Sequence, residues 1–87
     1  MTDTVWIETM TSSLVNLNKI AFIKTITHTN SVEIIAGYNE DVVPLVLAVV
    51  DSQLAAQKFI HSIGKLIKTN TKCIDATLIA EYCNNDN

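Results

Sequence analysis

The sequence contains no arginine, and all six basic residues are lysines: Lys19, Lys24, Lys58, Lys65, Lys68 and Lys72. Arginine provides the planar fork that reads guanine edges and clamps phosphates. Its absence, together with a formal net charge of −3, counts against sequence-specific recognition of nucleic acids. Nucleic acid is therefore predicted to be an unlikely partner.

Glycine and proline are also scarce, with two glycines and one proline in 87 residues. Gly37 and Gly64 are too isolated to form a phosphate-binding loop. With 48% hydrophobic and 17% charged residues, the composition is typical of a packed globular chain. We predict a single domain over residues 1–87, with residues 1–4 and 84–87 frayed. A domain this small has a thin core, to which an oligomeric contact commonly adds burial.

Long apolar runs and cysteine pairs are missing as well. The longest apolar run ends at Asp51 and is too short for a membrane-spanning helix, which needs about 20 residues. The N-terminus has no basic run ahead of an apolar stretch, as a secretory signal would have. Cys73 and Cys83 are then expected to be reduced thiols, and the sequence predicts a cytoplasmic protein with no membrane partner.

The first half of the chain is rich in β-forming residues. Residues 5–17, which begin with "VWIETM", are predicted to form a hairpin, and "IAFIKTIT" to form a third strand. In that strand Ile20, Phe22, Lys24 and Ile26 share one face. "VEIIA" is the fourth strand, after the polar turn at residues 28–31. Short connections between consecutive strands favour an antiparallel meander.

The valine-rich segment "VVPLVLAVV", residues 42–50, permits two interpretations. Pro44 could begin a helix, but the valines favour an edge strand. The strand would place Val43, Leu45, Leu47 and Val49 on one face and Val42, Val46, Ala48 and Val50 on the other. Because neither face is polar, both need to be covered.

A long amphipathic helix follows, with Asp51 or Ser52 as its N-cap. Its apolar stripe consists of Ala55, Ala56, Phe59, Ile60, Ile63, Leu66 and Ile67. Gln57, Lys58, His61, Lys65, Lys68 and Lys72 fall on the opposite side. Residues 73–83 can be a short helix capped by Asp75 or a last strand. The predicted fold class is thus α+β, with an antiparallel sheet of four to five strands, one long helix and a possible short C-terminal helix.

The Trp-Ile-x-Thr start, the "SLVNLNKI" strand and turn, and the late amphipathic helix resemble a class of small uncharacterised bacterial and phage proteins. The resemblance spans roughly residues 6–67 and lies in layout more than in motif. It implies a strand meander followed by one helix. Because that class has no assigned activity, function stays open.

The chemistry-bearing residues do not form a recognisable catalytic or metal motif. Cys73 and Cys83 lack the close spacing of a zinc site, and His28 and His61 lie far from them in sequence. The carboxylates are scattered over turns, caps and strand faces. We therefore predict no enzyme activity, no metal and no cofactor.

Two binding hypotheses remain. The first is a non-enzymatic protein-interaction module that forms a homodimer through an apolar edge strand, with Val42, Val46, Ala48 and Val50 at the contact. The alternative is binding of nucleic acid or an acidic partner through a basic face formed by Lys58, Lys65, Lys68 and Lys72. A row of lysines is more often only the solvated side of an amphipathic helix.

Overall fold

The computed structural model describes residues 4–39, 41–69 and 71–85, and it has the predicted α+β class. The described residues form six strands and two α-helices: β1 Trp6–Glu8, β2 Leu14–Asn16, β3 Phe22–Thr27, β4 Val32–Gly37, β5 Leu45–Val50, α1 Gln53–Lys68, β6 Cys73–Asp75 and α2 Ala76–Asn85. A short 3-10 helix, Leu17–Lys19, separates β2 from β3.

The strands form two three-stranded sheets, so the predicted single sheet of four to five strands is wrong. One sheet has the order β3-β4-β5 and is an antiparallel meander, as predicted for that part of the chain. The other has the order β2-β1-β6, in which β1 pairs antiparallel with β2 and parallel with β6.

The 3-10 helix explains why the hairpin leaves the meander. The Asn16 side chain accepts a hydrogen bond from the Asn18 backbone N–H at 2.9 Å, which turns the chain away after β2. The Asn18 side chain in turn accepts from the Val5 N–H at 2.8 Å. The two contacts hold the segment after β2 against Val5, just before β1. From there the chain continues into β3, which belongs to the other sheet.

The turn of the hairpin is built around Thr9, which is buried although it is polar. Its hydroxyl oxygen accepts from the Ser13 N–H at 3.1 Å and from the Thr11 N–H at 3.3 Å. Ser12 closes the turn with a positive φ of 64°, in the left-handed region. The turn thereby holds Met10, the residue after Thr9, beside Leu47 of β5.

Residues 45–50 are extended, which confirms the strand interpretation of the valine-rich segment, although β5 begins only after Pro44. The register with β4 shifts at a bulge: Ile34 pairs with Ala48, whereas Ile35 pairs with Val46. Because a bulge inserts one residue, the strict alternation predicted for residues 42–50 is broken. Leu47, Ala48 and Val50 are buried, and Val46 and Val49 lie on the other face with Ile35 and Glu33.

Helix α1 packs its apolar stripe against the inner face of the β3-β4-β5 sheet. Ser52 is the N-cap, and its hydroxyl accepts from the Ala55 N–H at 3.1 Å. Ala55, Ala56, Phe59 and Ile63 are buried, as predicted, whereas Ile67 near the helix end is exposed. Phe59 is the largest of the completely buried side chains.

The two interpretations of residues 73–83 are both correct in part, since β6 is followed directly by α2. The Asp75 carboxylate accepts from the Leu78 N–H at 3.2 Å, as expected of a helix cap. Asn84 belongs to α2 and its side-chain oxygen accepts from the Asp51 N–H at 2.9 Å, whereas the fraying predicted for residues 84–87 stays a prediction. Residues 1–3, 86 and 87 lie outside the described residues.

One hydrophobic cluster joins all of these elements. It includes Ile7 and Ile74 from the smaller sheet, Ile34 and Val50 from the meander, and Phe59, Ala80 and Cys83 from the helices. In the described ranges, neither helix is long and apolar enough to cross a membrane.

Candidate interaction surface

The outer edge of β5 is closed by the rest of the chain. The Leu47 carbonyl accepts from the Met10 N–H at 3.0 Å, and the Val49 N–H donates to the Met10 Sδ at 3.1 Å. One step further, the Asp51 N–H donates to the Asn84 side chain. The turn of the hairpin and the end of α2 therefore occupy the groups through which another strand would pair with β5.

The opposite edge of the same sheet is β3, and no other described strand pairs with it beyond β4. In the turn between β3 and β4, the His28 N–H donates to the Ser31 carbonyl at 2.8 Å, so His28 and Ser31 are a hydrogen-bonded pair. This pair shows which residues of β3 direct their backbone groups toward β4. Hydrogen-bonded and non-hydrogen-bonded pairs alternate along an antiparallel ladder. The ladder bonds to β4 thus belong to Phe22, Lys24 and Ile26, opposite Gly37, Ile35 and Glu33.

The remaining residues of β3 direct their backbone groups away from the sheet. By the same alternation, these are the N–H and C=O groups of Ile23, Thr25 and Thr27. The pattern agrees with β5 on the other side, where Leu47, Val49 and Asp51 are the residues whose backbone groups bond outward. A six-residue edge strand with an outward row of donors and acceptors is a template for a further strand.

Natural edges are usually protected by shortness, bulges, proline or charge. The other two free edges, β2 and β6, are only three residues long. In contrast, β3 is six residues long, contains no proline or bulge, and carries one charged residue, Lys24. It is the least protected edge among the described strands.

Apolar side chains flank the β3 edge on both sides. On the inner side, a groove of about 300 Å³ is lined by Leu17, Ile20, Ala21, Phe22, Ile23 and Ile67. Ile67 is partly exposed there, because α1 ends beside the start of β3. On the outer side lies Ile26, with 40% of its surface exposed. A strand added to β3 would bury apolar surface on either face.

The outer face of the meander carries a second depression. Phe22, Lys24, Asn39, Val42 and Pro44 line a cleft of about 470 Å³. The Lys24 ammonium lies 5.3 Å from the centre of the Phe22 ring, in a cation–π arrangement. The described lining of this cleft combines apolar side chains with the Lys24 ammonium.

The four residues predicted to form the dimer contact do not form one surface. Ala48 and Val50 are buried against the chain's own core opposite Ile34 and Val32, and the bulge places Val46 on the other face. Val42 is 44% exposed and lies before β5, and Val46 is half-buried on the outer face. Because Ala48 and Val50 are buried and the β5 edge is closed, β3 is the better candidate for the contact, and the assignment to β5 stays a prediction.

The predicted basic face is also incomplete. Lys58, Lys65 and Lys68 lie on α1, but α1 ends at Lys68, so Lys72 is not on the helix. The Lys72 carbonyl instead accepts from the Trp6 N–H at 2.8 Å, which ties that residue to β1. His61 is exposed on the same polar side of α1, as predicted.

The histidines and cysteines are not brought together. His28 Nε2 lies 2.7 Å from Glu33 Oε1 at the exposed end of the β3–β4 hairpin. Cys73 is exposed in β6, Cys83 is buried in α2, and no disulfide joins them. No group of three or more metal-ligating side chains occurs in the part of the chain that the structure describes.

The β3 edge was missed from the sequence, although the strand itself was predicted correctly. The strand "FIKTIT" has mixed polarity, whereas residues 42–50 stand out by hydrophobicity alone. Only the hydrogen bonds that join this strand and Asp51 to Met10 and Asn84 reveal that the more apolar strand has the closed edge.

Comparison with known proteins found no matching family model, no similar curated protein and no similar solved structure.

Proposed function

We propose that this chain is a small non-enzymatic protein-interaction module that self-associates through the free edge of β3. The observation that carries the proposal is the outward row of backbone groups at Ile23, Thr25 and Thr27, set against the closed edge of β5. Chains that add a strand to an open edge gain main-chain hydrogen bonds for affinity and side-chain pockets for specificity.

The size of the surface sets the expected affinity. A strand of six residues is about 20 Å long, and adding one strand widens the sheet by about 4.8 Å. Such a contact is at the small end of specific interfaces, which bury about 800 Å² on each partner when they are stable. We therefore expect a weak homodimer in rapid exchange, with a Kd in the range of about 10 μM to 1 mM.

The sequence-based expectations of a cytoplasmic location and of a bacterial or phage origin stay predictions. The two free thiols are compatible with the first of these expectations.

The alternation of the backbone groups provides an experiment without any mutation. Amide hydrogen exchange is measured by NMR as a function of protein concentration, alongside sedimentation equilibrium. We expect the amides of Ile23, Thr25 and Thr27 to exchange fast in dilute solution and to become protected as the dimer forms. The amides of Lys24 and Ile26, which bond to β4, serve as the internal control and should be protected at every concentration.

Three results are distinguishable. Dimerisation with concentration-dependent protection of the three outward amides supports the proposal. Dimerisation without that protection would assign the contact to another surface, such as the exposed pair Leu78 and Tyr82 on α2. A protein that stays monomeric at about 1 mM contradicts self-association altogether.

A further inference from the structure

We infer, on the basis of the self-association proposed above, that two copies pair their β3 strands antiparallel about a two-fold axis centred on Thr25, forming one continuous six-stranded sheet. The partner of the β3 edge is then a second copy of this chain, and its register is fixed by the backbone and by Lys24.

The backbone restricts the possible registers. Only Ile23, Thr25 and Thr27 have outward backbone groups, so hydrogen-bonded pairs between the copies must form among these residues. Registers that oppose one of them to Phe22, Lys24 or Ile26 fail, because the latter residues already bond to β4.

Five symmetric registers remain, centred on Ile23, Lys24, Thr25, Ile26 or Thr27. The register centred on Thr25 pairs Thr25 with itself and Ile23 with Thr27 in both directions. It thus uses all three outward residues of each copy in three hydrogen-bonded pairs, each with two N–H···O=C bonds. Centring on Lys24 or Ile26 leaves one outward residue of each strand without a partner on β3, and centring on Ile23 or Thr27 leaves two.

The charges favour the same register. Centring on Lys24 would place the two Lys24 side chains directly opposite each other, which is unfavourable for like charges. Centring on Thr25 places Lys24 opposite Ile26 of the second copy, so that its aliphatic stem packs on the exposed isoleucine.

The row then continues to an acidic residue. Ile26 pairs with Glu33 on β4, so Lys24 of one copy, Ile26 of the other and Glu33 of the other lie in line across three strands. Two strand spacings of about 4.8 Å separate the Lys24 backbone from that of Glu33, a span that the lysine and glutamate side chains cover together when they lean toward each other. The Glu33 carboxylate, which also contacts His28 Nε2 of its own chain at 2.7 Å, thus adds a negative charge to this row, and the row occurs twice in the dimer.

The test is a charge pair at position 26, read out as the dimer Kd by sedimentation equilibrium at low salt. Ile26→Glu brings a carboxylate opposite Lys24 of the second copy and should tighten the dimer about tenfold, because each of the two symmetric contacts contributes about threefold. Ile26→Lys brings two ammonium groups together and should weaken it by a similar factor. The double variant Lys24→Glu with Ile26→Lys restores an attractive pair and should recover the affinity.

An effect on folding cannot imitate this pattern. Within one chain, residue 26 faces Glu33, so Ile26→Glu disfavours the monomer fold and Ile26→Lys favours it. The expected order of monomer stability is therefore opposite to the expected order of dimer affinity, and thermal unfolding of dilute protein provides the control.

The outcomes separate the register from the proposed function. If the native chain dimerises but both Ile26 variants change Kd in the same direction, or the double variant does not recover, the register centred on Thr25 is wrong while self-association stands. If the native chain shows no dimer at about 1 mM, self-association itself fails and the register fails with it.

Discussion

The Phe22 ring lies directly over Gly37, its partner residue on β4: a Cβ built on Gly37 would come within 2.4 Å of Phe22 Cζ. Any side chain at position 37 forces the ring to move from the outer face of the meander. We expect Gly37→Ala to lower the free energy of unfolding by about 1 kcal/mol, since the displaced ring loses contacts that outweigh the lower chain entropy of alanine. Urea denaturation measures the change.

The second glycine provides the matched control. Gly64 lies in the interior of α1 and is exposed, and a Cβ added to it would meet no atom within 4 Å. Gly64→Ala should raise the free energy of unfolding by about 0.5–1 kcal/mol, because alanine is the better helix former. Equal effects of the two substitutions would show that the Phe22 ring does not restrict position 37.

Met10 and Asn84 are predicted to keep the β5 edge closed. Met10→Leu removes the acceptor of the Val49 N–H, and Asn84→Ala removes the acceptor of the Asp51 N–H. We expect each substitution to accelerate exchange of its own edge amide and to lower stability by about 1 kcal/mol or less. Amide exchange followed by NMR provides the measurement.

The Ile34 amide is the reference for this experiment, because its strand lies in the centre of the sheet and is affected only by global unfolding. If both edge amides exchange in the variants as slowly as in the native chain, Met10 and Asn84 do not protect them. In that case β5 would return as a candidate for strand pairing.

Phe59 is the residue on which the core depends most. It is completely buried between α1 and the sheet, so Phe59→Ala should cost about 3–5 kcal/mol. Because a small domain has a total stability of only about 5 kcal/mol or somewhat more, Phe59→Asp should leave the chain unfolded. Circular dichroism and thermal denaturation test both variants.

Leu54 on the first turn of the same helix is the control for Phe59. It is largely exposed, and an aspartate there lies near the positive end of the helix dipole. Leu54→Asp should therefore change stability by less than about 0.5 kcal/mol. Unfolding by Leu54→Asp would contradict the assignment of the buried face of α1.

Local patterns predict much of this fold. The three- and four-residue spacing of Ala55, Phe59 and Ile63 locates α1 and its buried side, and alternation along β3 places Phe22, Lys24 and Ile26 on one face. These features depend on residues close in sequence, for which periodicity is informative.

The division into two sheets and the closed edge depend on distant residues. The pairing of β1 with β6 joins Ile7 to Ile74, and the Met10 contacts join a hairpin turn to Leu47 and Val49. No local pattern encodes such pairs. The bulge at Leu47 is not visible in the local pattern either. Because it inserts one residue, Val46 lies on the face opposite to Ala48 and Val50, whereas strict alternation predicts that all three share one face.

The number of lysines on α1 leads to a prediction about the affinity for nucleic acids. With Lys72 tied to β1, only Lys58, Lys65 and Lys68 lie on the helix, in a chain whose formal net charge is −3. Three phosphate contacts at most give a shallow dependence of affinity on salt and little affinity at physiological ionic strength. We expect fluorescence anisotropy to detect no micromolar binding to single- or double-stranded DNA at about 150 mM salt.

The paired variant Lys65→Gln with Lys68→Gln should behave like the native chain. Salt-sensitive micromolar binding that this variant abolishes would instead support the basic face as a functional surface, because loss of two cations on one helix side reduces the number of released counterions by about two.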